Sequence, residues 1–124
     1  MKFFALLSLV FLFVPACKGG GESASIDPQA QAKADTVWNE RCVSCHGANG
    51  DGKGPQAAAL GDVKPRSFRV PQWQASVDDA YITKVIVEGG TAVGKSALMA
   101  PNSDLAAQPE TVKMLVKKIR GFTQ

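Results

Sequence analysis

The sequence predicts an all-α domain with long loops, and three observations support this prediction. Apolar residues recur at helical spacing in three segments, at about residues 28–45, 79–88 and 109–121. No segment convincingly alternates apolar and polar residues with the period of two that is typical of a half-buried strand. Glycine and proline concentrate between the three segments, where they interrupt regular structure.

The first helix is predicted to run from about residue 28 to about residue 45. Asp27 supplies a capping carboxylate, and Pro28 has the fixed φ that suits the first helical position. Gly47 is expected to end the helix, because glycine commonly follows the last helical turn. The apolar positions that recur along the helix are Ala30, Ala34, Val37, Trp38, Cys42 and Cys45.

A loop is predicted from Gly47 to about Val77. This range contains five glycines and three prolines, which is too many for a regular element. One short helical turn is expected within it, around residues 56–60.

The second helix is expected to start at Ser76-x-x-Asp79, whose spacing resembles a capping box, and to end at Gly89-Gly90. The residues predicted to face inward are Tyr81, Ile82, Val85 and Ile86, and those predicted to face outward are Asp79, Thr83, Lys84 and Glu88.

A second loop is predicted from Thr91 to about Gln108, followed by a last helix from Pro109 to Gly121. Met114 is expected roughly opposite the apolar face of this helix. That apolar face consists of Val112, Leu115, Val116 and Ile119, and the last turn carries Lys117, Lys118 and Arg120, where cations interact favourably with the helix dipole.

The N-terminus has the features of an export signal. Lys2 precedes an apolar run from Phe3 to Val14, which is shorter than the ~20 residues that span a bilayer. The run ends at Val14-Pro15-Ala16-Cys17, which resembles a bacterial lipoprotein signal and implies cleavage before Cys17 and lipidation of that cysteine. Ordinary secretion with a different cleavage site is the alternative.

The chain is therefore expected to have three parts. Residues 1–16 form a signal peptide, residues 17–27 form a lipid-anchored flexible tether rich in glycine and serine, and residues 28–124 form one domain. The implied location is the periplasmic side of a membrane. The net charge of +3 is too small for the clustered cations that nucleic-acid binding requires, so no nucleic-acid partner is expected.

The sequence Cys42-Val43-Ser44-Cys45-His46 has the Cys-x-x-Cys-His spacing that is the attachment signature of c-type haem. Two thiols three residues apart on a helical turn can each form a thioether with one vinyl group of a porphyrin edge. The next residue then brings an imidazole to the iron, and His46 is the only histidine in the chain. The motif predicts one covalent haem c with iron.

Three other uses of these cysteines are less consistent with the sequence. A thioredoxin-like site needs a strand-to-helix context that is not predicted here. A zinc site needs four ligands, and outside the motif the chain offers only Cys17. A disulfide between Cys42 and Cys45 would leave His46 unexplained.

The motif continues through Gly47-Ala48-Asn49-Gly50-Asp51-Gly52-Lys53-Gly54-Pro55 and is followed by a methionine in a loop before a C-terminal helix. This pattern resembles the small class I c-type cytochromes of bacteria over about residues 28–122. The resemblance implies the class I cytochrome c fold, with three to four helices and long loops wrapped around one covalently bound haem. It also implies that the first and last helices cross, which Ala30 and Ala34 beside Trp38 would permit.

The same resemblance implies a methionine sulfur opposite His46, and Met99 is the position that matches, although Ala100 separates it from the following proline. It further implies that a backbone carbonyl near the glycine-proline turn, at Pro55, accepts a hydrogen bond from the His46 ring. The alternative is that Met99 fills a gap in the core.

Three further side chains are candidates for contact with the haem propionates. They are Arg66, Trp73 and Lys95, each of which could equally be an ordinary surface or core residue.

Residues 89–96 match the phosphate-binding pattern G-x-x-x-x-G-K-[ST]. Pro101 follows too soon for the helix that this pattern requires, and no strand ending in a magnesium-binding aspartate is visible. An exported compartment also lacks ATP, so no nucleotide ligand is expected. The glycines are better explained by a close passage of the backbone beside the haem.

The resemblance predicts a single-electron carrier that is not an enzyme and that exchanges electrons with redox protein partners. Histidine and methionine together fill both axial positions of the iron, which favours electron transfer over bond chemistry. The alternative is a haem sensor or small haem enzyme with an open sixth site, and carbon monoxide binding to the reduced protein distinguishes the two.

Overall fold

The computed structural model describes residues 26–123. All regular secondary structure in this range is helical and no strand is present, so the all-α prediction is confirmed. The predicted signal peptide, Cys17 and most of the predicted tether lie outside the described residues. Within residues 26–123, no helix is long and apolar enough to cross a membrane.

The first predicted helix forms one continuous helical segment in three parts. These parts are α1 (Pro28–Val37), a π-helical turn (Trp38–Cys42) and α2 (Val43–His46). The Asp27 side chain accepts a hydrogen bond from the backbone N–H of Gln29 at 2.9 Å, as expected of a cap. The π turn was not predicted, and it changes the helical pitch immediately before Cys42.

A short helix, α3 (Pro71–Ser76), lies in the range that was predicted to be loop. Six residues carry too few apolar positions to show a helical period, so the pattern could not reveal it. The short turn expected around residues 56–60 is present as a 3₁₀ helix, Ala57–Leu60.

Helix α4 (Asp79–Glu88) is capped by Asp78, whose Oδ1 atom accepts a hydrogen bond from the Tyr81 N–H at 2.7 Å. The predicted capping box of Ser76 and Asp79 is therefore wrong. The Ser76 hydroxyl instead donates to the Trp73 carbonyl oxygen at the end of α3. The inward and outward faces of α4 are as predicted: Ile82 and Ile86 are buried, Tyr81 and Val85 are half-buried, and Asp79, Thr83, Lys84 and Glu88 are exposed.

Helix α5 (Pro109–Gly121) crosses α1, and this crossing is the most extensive helix–helix contact in the described part of the chain. Ala34 and Leu115 are 0% and 1% exposed there, and the small alanine allows the two helices to approach closely. The buried core consists of Ala30, Ala34, Val37, Trp38, Phe68, Ile82, Ile86, Leu105, Val112, Met114, Leu115, Val116 and Ile119.

Met114 was predicted to lie away from the core, and this prediction is wrong because Met114 is only 5% exposed. The physical reason is that α5 is covered on more than one side. Helix α1 packs on one side, while α4 and a 3₁₀ turn at Ser103–Ala107 also contact α5. The apolar surface of α5 is therefore wider than a single stripe.

Candidate functional site

The two cysteines of the Cys-x-x-Cys-His motif lie at the junction of the π turn and α2. Cys42 is the last residue of the π turn and Cys45 belongs to α2, and both are half-buried with free thiols. Burial raises the pKa of the Cys42 thiol to about 11. A redox-active dithiol needs a lowered pKa, so this environment does not favour a thioredoxin-like site.

The His46 imidazole is held through its Nδ1 atom, which lies 3.0 Å from the backbone carbonyl oxygen of Arg66. Because a carbonyl oxygen can only accept, Nδ1 carries the proton and donates it. Burial lowers the pKa of His46, and the hydrogen bond to Arg66 partly opposes this shift. The ring is therefore favoured in its neutral form, with the lone pair on Nε2, which is the state that binds a metal.

The prediction that Pro55 supplies the acceptor for His46 is wrong, because the carbonyl oxygen that Nδ1 faces belongs to Arg66. The residues on either side of Pro55 bind elsewhere. The Gly54 N–H donates to the Cys45 carbonyl oxygen at 3.1 Å, and the Gln56 N–H donates to the Ser44 carbonyl oxygen at 2.8 Å. The glycine-proline turn therefore packs on the backbone of α2, and Pro55 itself is exposed.

An aromatic side chain also fixes the plane of the imidazole. The Phe68 ring stacks on the His46 ring, with the two centroids 4.6 Å apart and the planes 21° apart. Phe68 is itself enclosed by Trp38, Trp73 and Phe122, whose ring centroids lie 5.3 to 6.4 Å from its own. The ring orientation of His46 is therefore set by packing as well as by its hydrogen bond.

Met99 lies in a loop closed by backbone hydrogen bonds. The Gly90 N–H donates to the Met99 carbonyl oxygen at 2.8 Å, and the Lys95 N–H donates to the Gly90 carbonyl oxygen at 2.8 Å. A Cβ atom at Gly90 would collide with the Ser96 carbonyl oxygen and would lie 3.2 Å from the Met99 Cβ. The absence of a side chain at Gly90 is therefore what lets the loop close around Met99.

The phosphate-binding pattern at residues 89–96 does not have the context that such a site requires. A 3₁₀ helix, Gly90–Val93, occupies the position of the expected phosphate loop, and it follows helix α4 rather than a strand. No α-helix begins until Pro109. In this fold the glycines are part of the loop that closes around Met99.

A small cavity of about 30 Å³ brings the predicted iron ligands together. Cys42 and His46, from the first helical segment, line it together with Met99, which lies more than fifty residues further along the chain. The remaining lining is largely apolar and consists of Val37, Trp38, Phe68, Ile86, Asn102, Leu115 and Ile119. A neutral imidazole and a thioether beside apolar walls are the donor pair of a His/Met-ligated haem iron, and the Cys42 thiol next to them is at a position that matches an attachment cysteine.

Met114 does not reach this cavity. It lines a separate, larger groove between α4 and α5, together with Val87, Leu105 and Val116. Among the described residues, Met99 is therefore the methionine that shares a cavity with His46.

Asn102 and Arg41 anchor the far end of the Met99 loop. The Asn102 Nδ2 atom donates to the Ile86 carbonyl oxygen at 2.9 Å, which ties the loop to α4. The Arg41 guanidinium donates to the carboxylate of Asp104 at 2.9 Å and approaches the Asn102 Oδ1 atom at 3.4 Å. Since Arg41 precedes Cys42, these contacts join the Cys42 segment directly to the segment that follows Met99.

The three candidates for propionate contact have different environments. Arg66 is exposed, and its guanidinium carbon lies 6.0 Å from the centroid of the half-buried Trp73 ring, within the range of a cation–π contact. Lys95 is exposed. The clearest contribution from this group is one that the sequence does not reveal, namely the backbone carbonyl of Arg66 at His46.

A family model described as Cytochrome c matches residues 31–116, which is more than half of the chain. Searches of curated proteins and of solved structures give no significant match.

Proposed function

Because the chain belongs to the cytochrome c family, we propose that it is a single-electron carrier in which His46 and Met99 are the axial ligands of its haem iron. The family identifies the cofactor as haem c, attached covalently, with Cys42 and Cys45 in the matching positions of the attachment motif. Membership of this family supports a haem-binding electron carrier, and it favours redox proteins as the partners with which electrons are exchanged. The haem supplies the one-electron ferric–ferrous couple.

The observation that carries the ligand proposal is that His46 and Met99 line the same cavity. His46 presents a neutral ring whose Nδ1 proton is donated to Arg66, so Nε2 is free to bind iron. Met99 is held by a closed loop that is attached to α4 through Asn102. Two protein ligands leave no coordination site for oxygen or peroxide, which favours electron transfer over bond chemistry.

The proposal extends to location. We infer that the carrier works in an exported chain, anchored on the periplasmic side of a membrane through lipid on Cys17. The support is the apolar run from Phe3 to Val14, which is followed by Pro15-Ala16-Cys17. Two or more acyl chains are needed for firm attachment, and a lipoprotein N-terminus would supply them.

Carbon monoxide binding tests the ligand assignment. Protein that is produced in exported form in cells with haem-attachment machinery should show haem absorption. Its reduced form should not bind carbon monoxide rapidly. Met99→Ala should bind carbon monoxide rapidly and have a lower reduction potential, because the thioether that favours the ferrous state is gone. Met114→Ala is the matched control, since it removes a buried methionine that lies outside the cavity.

The outcomes separate the possibilities clearly. Rapid carbon monoxide binding by the reduced unmodified protein would instead indicate a sensor or enzyme with an open sixth site. An unchanged spectrum and potential in Met99→Ala would remove Met99 from the ligand set. Pigment that is extracted by acidified organic solvent would contradict covalent attachment through Cys42 and Cys45.

A further inference from the structure

We infer that Gln74 is a positioning residue for His46 and acts on it through the backbone of residues 66–68, here called the His46 strap. This inference rests on the proposal that His46 binds the iron. The strap contributes two contacts to the imidazole. The Arg66 carbonyl oxygen accepts the Nδ1 proton at 3.0 Å, and the Phe68 ring stacks on the imidazole at a centroid distance of 4.6 Å.

The strap is held by hydrogen bonds on both sides of Phe68. The Phe68 N–H donates to the Gly50 carbonyl oxygen at 2.7 Å, and the Phe68 carbonyl oxygen accepts from the Gln74 Nε2 atom at 2.8 Å. Among residues 26–123, Gln74 is the one side chain besides His46 that hydrogen-bonds the strap backbone. The placement of the Arg66 carbonyl therefore depends on Gln74 together with the Gly50 carbonyl.

Gln74 is itself fixed to the end of α5. Its Nε2 atom also donates to the Ile119 carbonyl oxygen at 2.8 Å, and its Oε1 atom accepts from the Arg120 guanidinium at 2.8 Å. Because a guanidinium can only donate, the amide oxygen must face Arg120 and the amide nitrogen must face the two carbonyls. Both the oxygen and the nitrogen of the Gln74 amide therefore have partners, and these partners fix the orientation of the amide.

Arg120 in turn holds the segments on either side of the α3–α4 junction. It donates to the Gln74 carbonyl oxygen at 2.7 Å, to the Val77 carbonyl oxygen at 2.8 Å and to the Asp79 carboxylate at 2.8 Å. The amide of Gln74 is thus set against a rigid frame, and the strap is set against that amide. Because Gln74 is held in place, the strap that accepts the His46 hydrogen bond is held in place as well.

The expected effect on the iron follows from the direction of this hydrogen bond. A carbonyl that accepts the Nδ1 proton increases the basicity of Nε2 and so stabilises the ferric state. If Gln74 no longer holds the strap, the hydrogen bond is made for a smaller fraction of the time. The ferric–ferrous equilibrium should then shift several-fold towards the ferrous form, where a tenfold shift would correspond to about 59 mV.

The test compares Gln74→Met and Gln74→Glu with Gln72→Met in haem-loaded protein. Methionine keeps the length of the side chain without its hydrogen bonds, and glutamate keeps an acceptor for Arg120 but lacks both donors. Gln72 is the matched control, because it lies on the same helix, is exposed, and its side chain makes no hydrogen bond with the described residues. The readouts are the reduction potential and the solvent exchange of the His46 Nδ1 proton and the Phe68 amide in the reduced, diamagnetic state.

Both Gln74 variants should exchange the His46 Nδ1 proton at least tenfold faster than Gln72→Met, and Gln74→Met, which adds no charge, should also have a higher potential. If exchange and potential match Gln72→Met within twofold while the melting temperature falls, Gln74 is structural only and the inference is overturned. If the unmodified protein shows no spectrum of histidine-ligated haem, that result would instead contradict the proposal that His46 binds the iron.

The unmodified protein gives a second test, which holds even if the Gln74 variants fail to fold. In native-state hydrogen exchange under increasing denaturant, the His46 Nδ1 proton, the Phe68 amide and the Gln74 side-chain amide should lose protection together. Exchange of the first two while Gln74 stays protected would overturn the inference.

Discussion

The guanidinium of Arg41 forms an ion pair with Asp104, with Nη1 2.9 Å from Oδ1, and so connects the residue before Cys42 to the turn that follows the Met99 loop. The hydrogen bond from Arg41 lowers the pKa of the Asp104 carboxyl. Both side chains are substantially exposed, so the pair adds little to the overall stability of the fold. The pair instead matters locally, because it joins the segment that contains Cys42 to the segment that follows Met99.

Arg41→Gln should loosen the Met99 loop before the rest of the protein unfolds. In denaturant titrations, the ferric charge-transfer band of methionine-ligated haem should disappear at a lower concentration than in the unmodified protein. The far-ultraviolet circular dichroism midpoint should hardly change. Lys113→Gln is the control, because it removes a different exposed ion pair, with Glu110 on α5. Parallel shifts of both signals would show that Arg41 acts on the whole fold.

If Met99 is the sixth ligand, as proposed, Gly90→Ala should weaken its bond to the iron. A Cβ atom at this position collides with the Ser96 carbonyl oxygen and presses on Met99, so the loop must move to accommodate it. Faster carbon monoxide binding to the reduced protein measures this displacement.

Gly94→Ala is the matched comparison for Gly90→Ala. Its Cβ would meet nothing within 4 Å, but the residue has a φ of +70°. This variant should cost roughly 1 kcal/mol of stability through backbone strain and should keep its resistance to carbon monoxide. Equal carbon monoxide binding by the two variants would argue against the steric explanation.

Asp35→Asn should destabilise the protein at neutral pH but not in strong acid. The hydrogen bond from Lys118, followed by one from Gln31, lowers the pKa of the Asp35 carboxyl below its ordinary value of 3.8. A lowered folded-state pKa means that the stabilisation is present above the ordinary pKa and is lost as the pH falls through the folded-state value. Since the side chains of Asp35 and Lys118 are 45% and 29% exposed, the difference should stay below about 1 kcal/mol.

Urea unfolding of the Asp35→Asn protein and the unmodified protein measures this difference. The two unfolding free energies should differ at pH 7 and converge well below pH 3.8. A difference that persists unchanged in acid would show that the Asp35 charge is not its origin.

Cys17→Ser should release the protein from the membrane. If lipid on Cys17 is the anchor, the unmodified protein should incorporate labelled fatty acid and sediment with membranes, and the variant should do neither. Haem content should be equal in the two, because Cys42 and Cys45 are unchanged. Labelling of the variant at the same level would contradict the proposed anchor.

Elements whose ends depend on local chemistry could be predicted from the sequence. Asp27 caps α1, and proline opens both α1 and α5, because a side chain or ring acts there on the neighbouring backbone. Helix α3 also opens with a proline, Pro71, but its six residues are too few to show a helical period, so it was not predicted. Gln74 within it is held by Ile119, which is 45 residues away, and such a contact leaves no local pattern.

In the candidate site, too, some residues could be predicted from local sequence and others depend on the folded loops. The spacing predicts roles for Cys42, Cys45 and His46, and the resemblance predicts one for Met99; the structure brings Cys42, His46 and Met99 to one cavity, and their binding to haem stays a prediction. The acceptor for His46 was assigned to Pro55 and is Arg66, since any residue carries a backbone carbonyl and only the folded loop decides which one faces the ring. Phe68 was missed as a partner of His46 because an isolated aromatic residue looks like any core residue.

The burial of Met114 beneath α4 has a consequence for how the chain reaches its final state. Once the last helix is undocked, a second thioether becomes available fifteen residues beyond the first, and both can compete for the same iron. If Met99 is the iron ligand, as proposed, docking of that helix removes the Met114 sulfur from the competition. Which methionine binds the iron is then decided by the assembly of the helices. Refolding from a haem-bound unfolded state should be slower in molecules in which Met114 has bound the iron first.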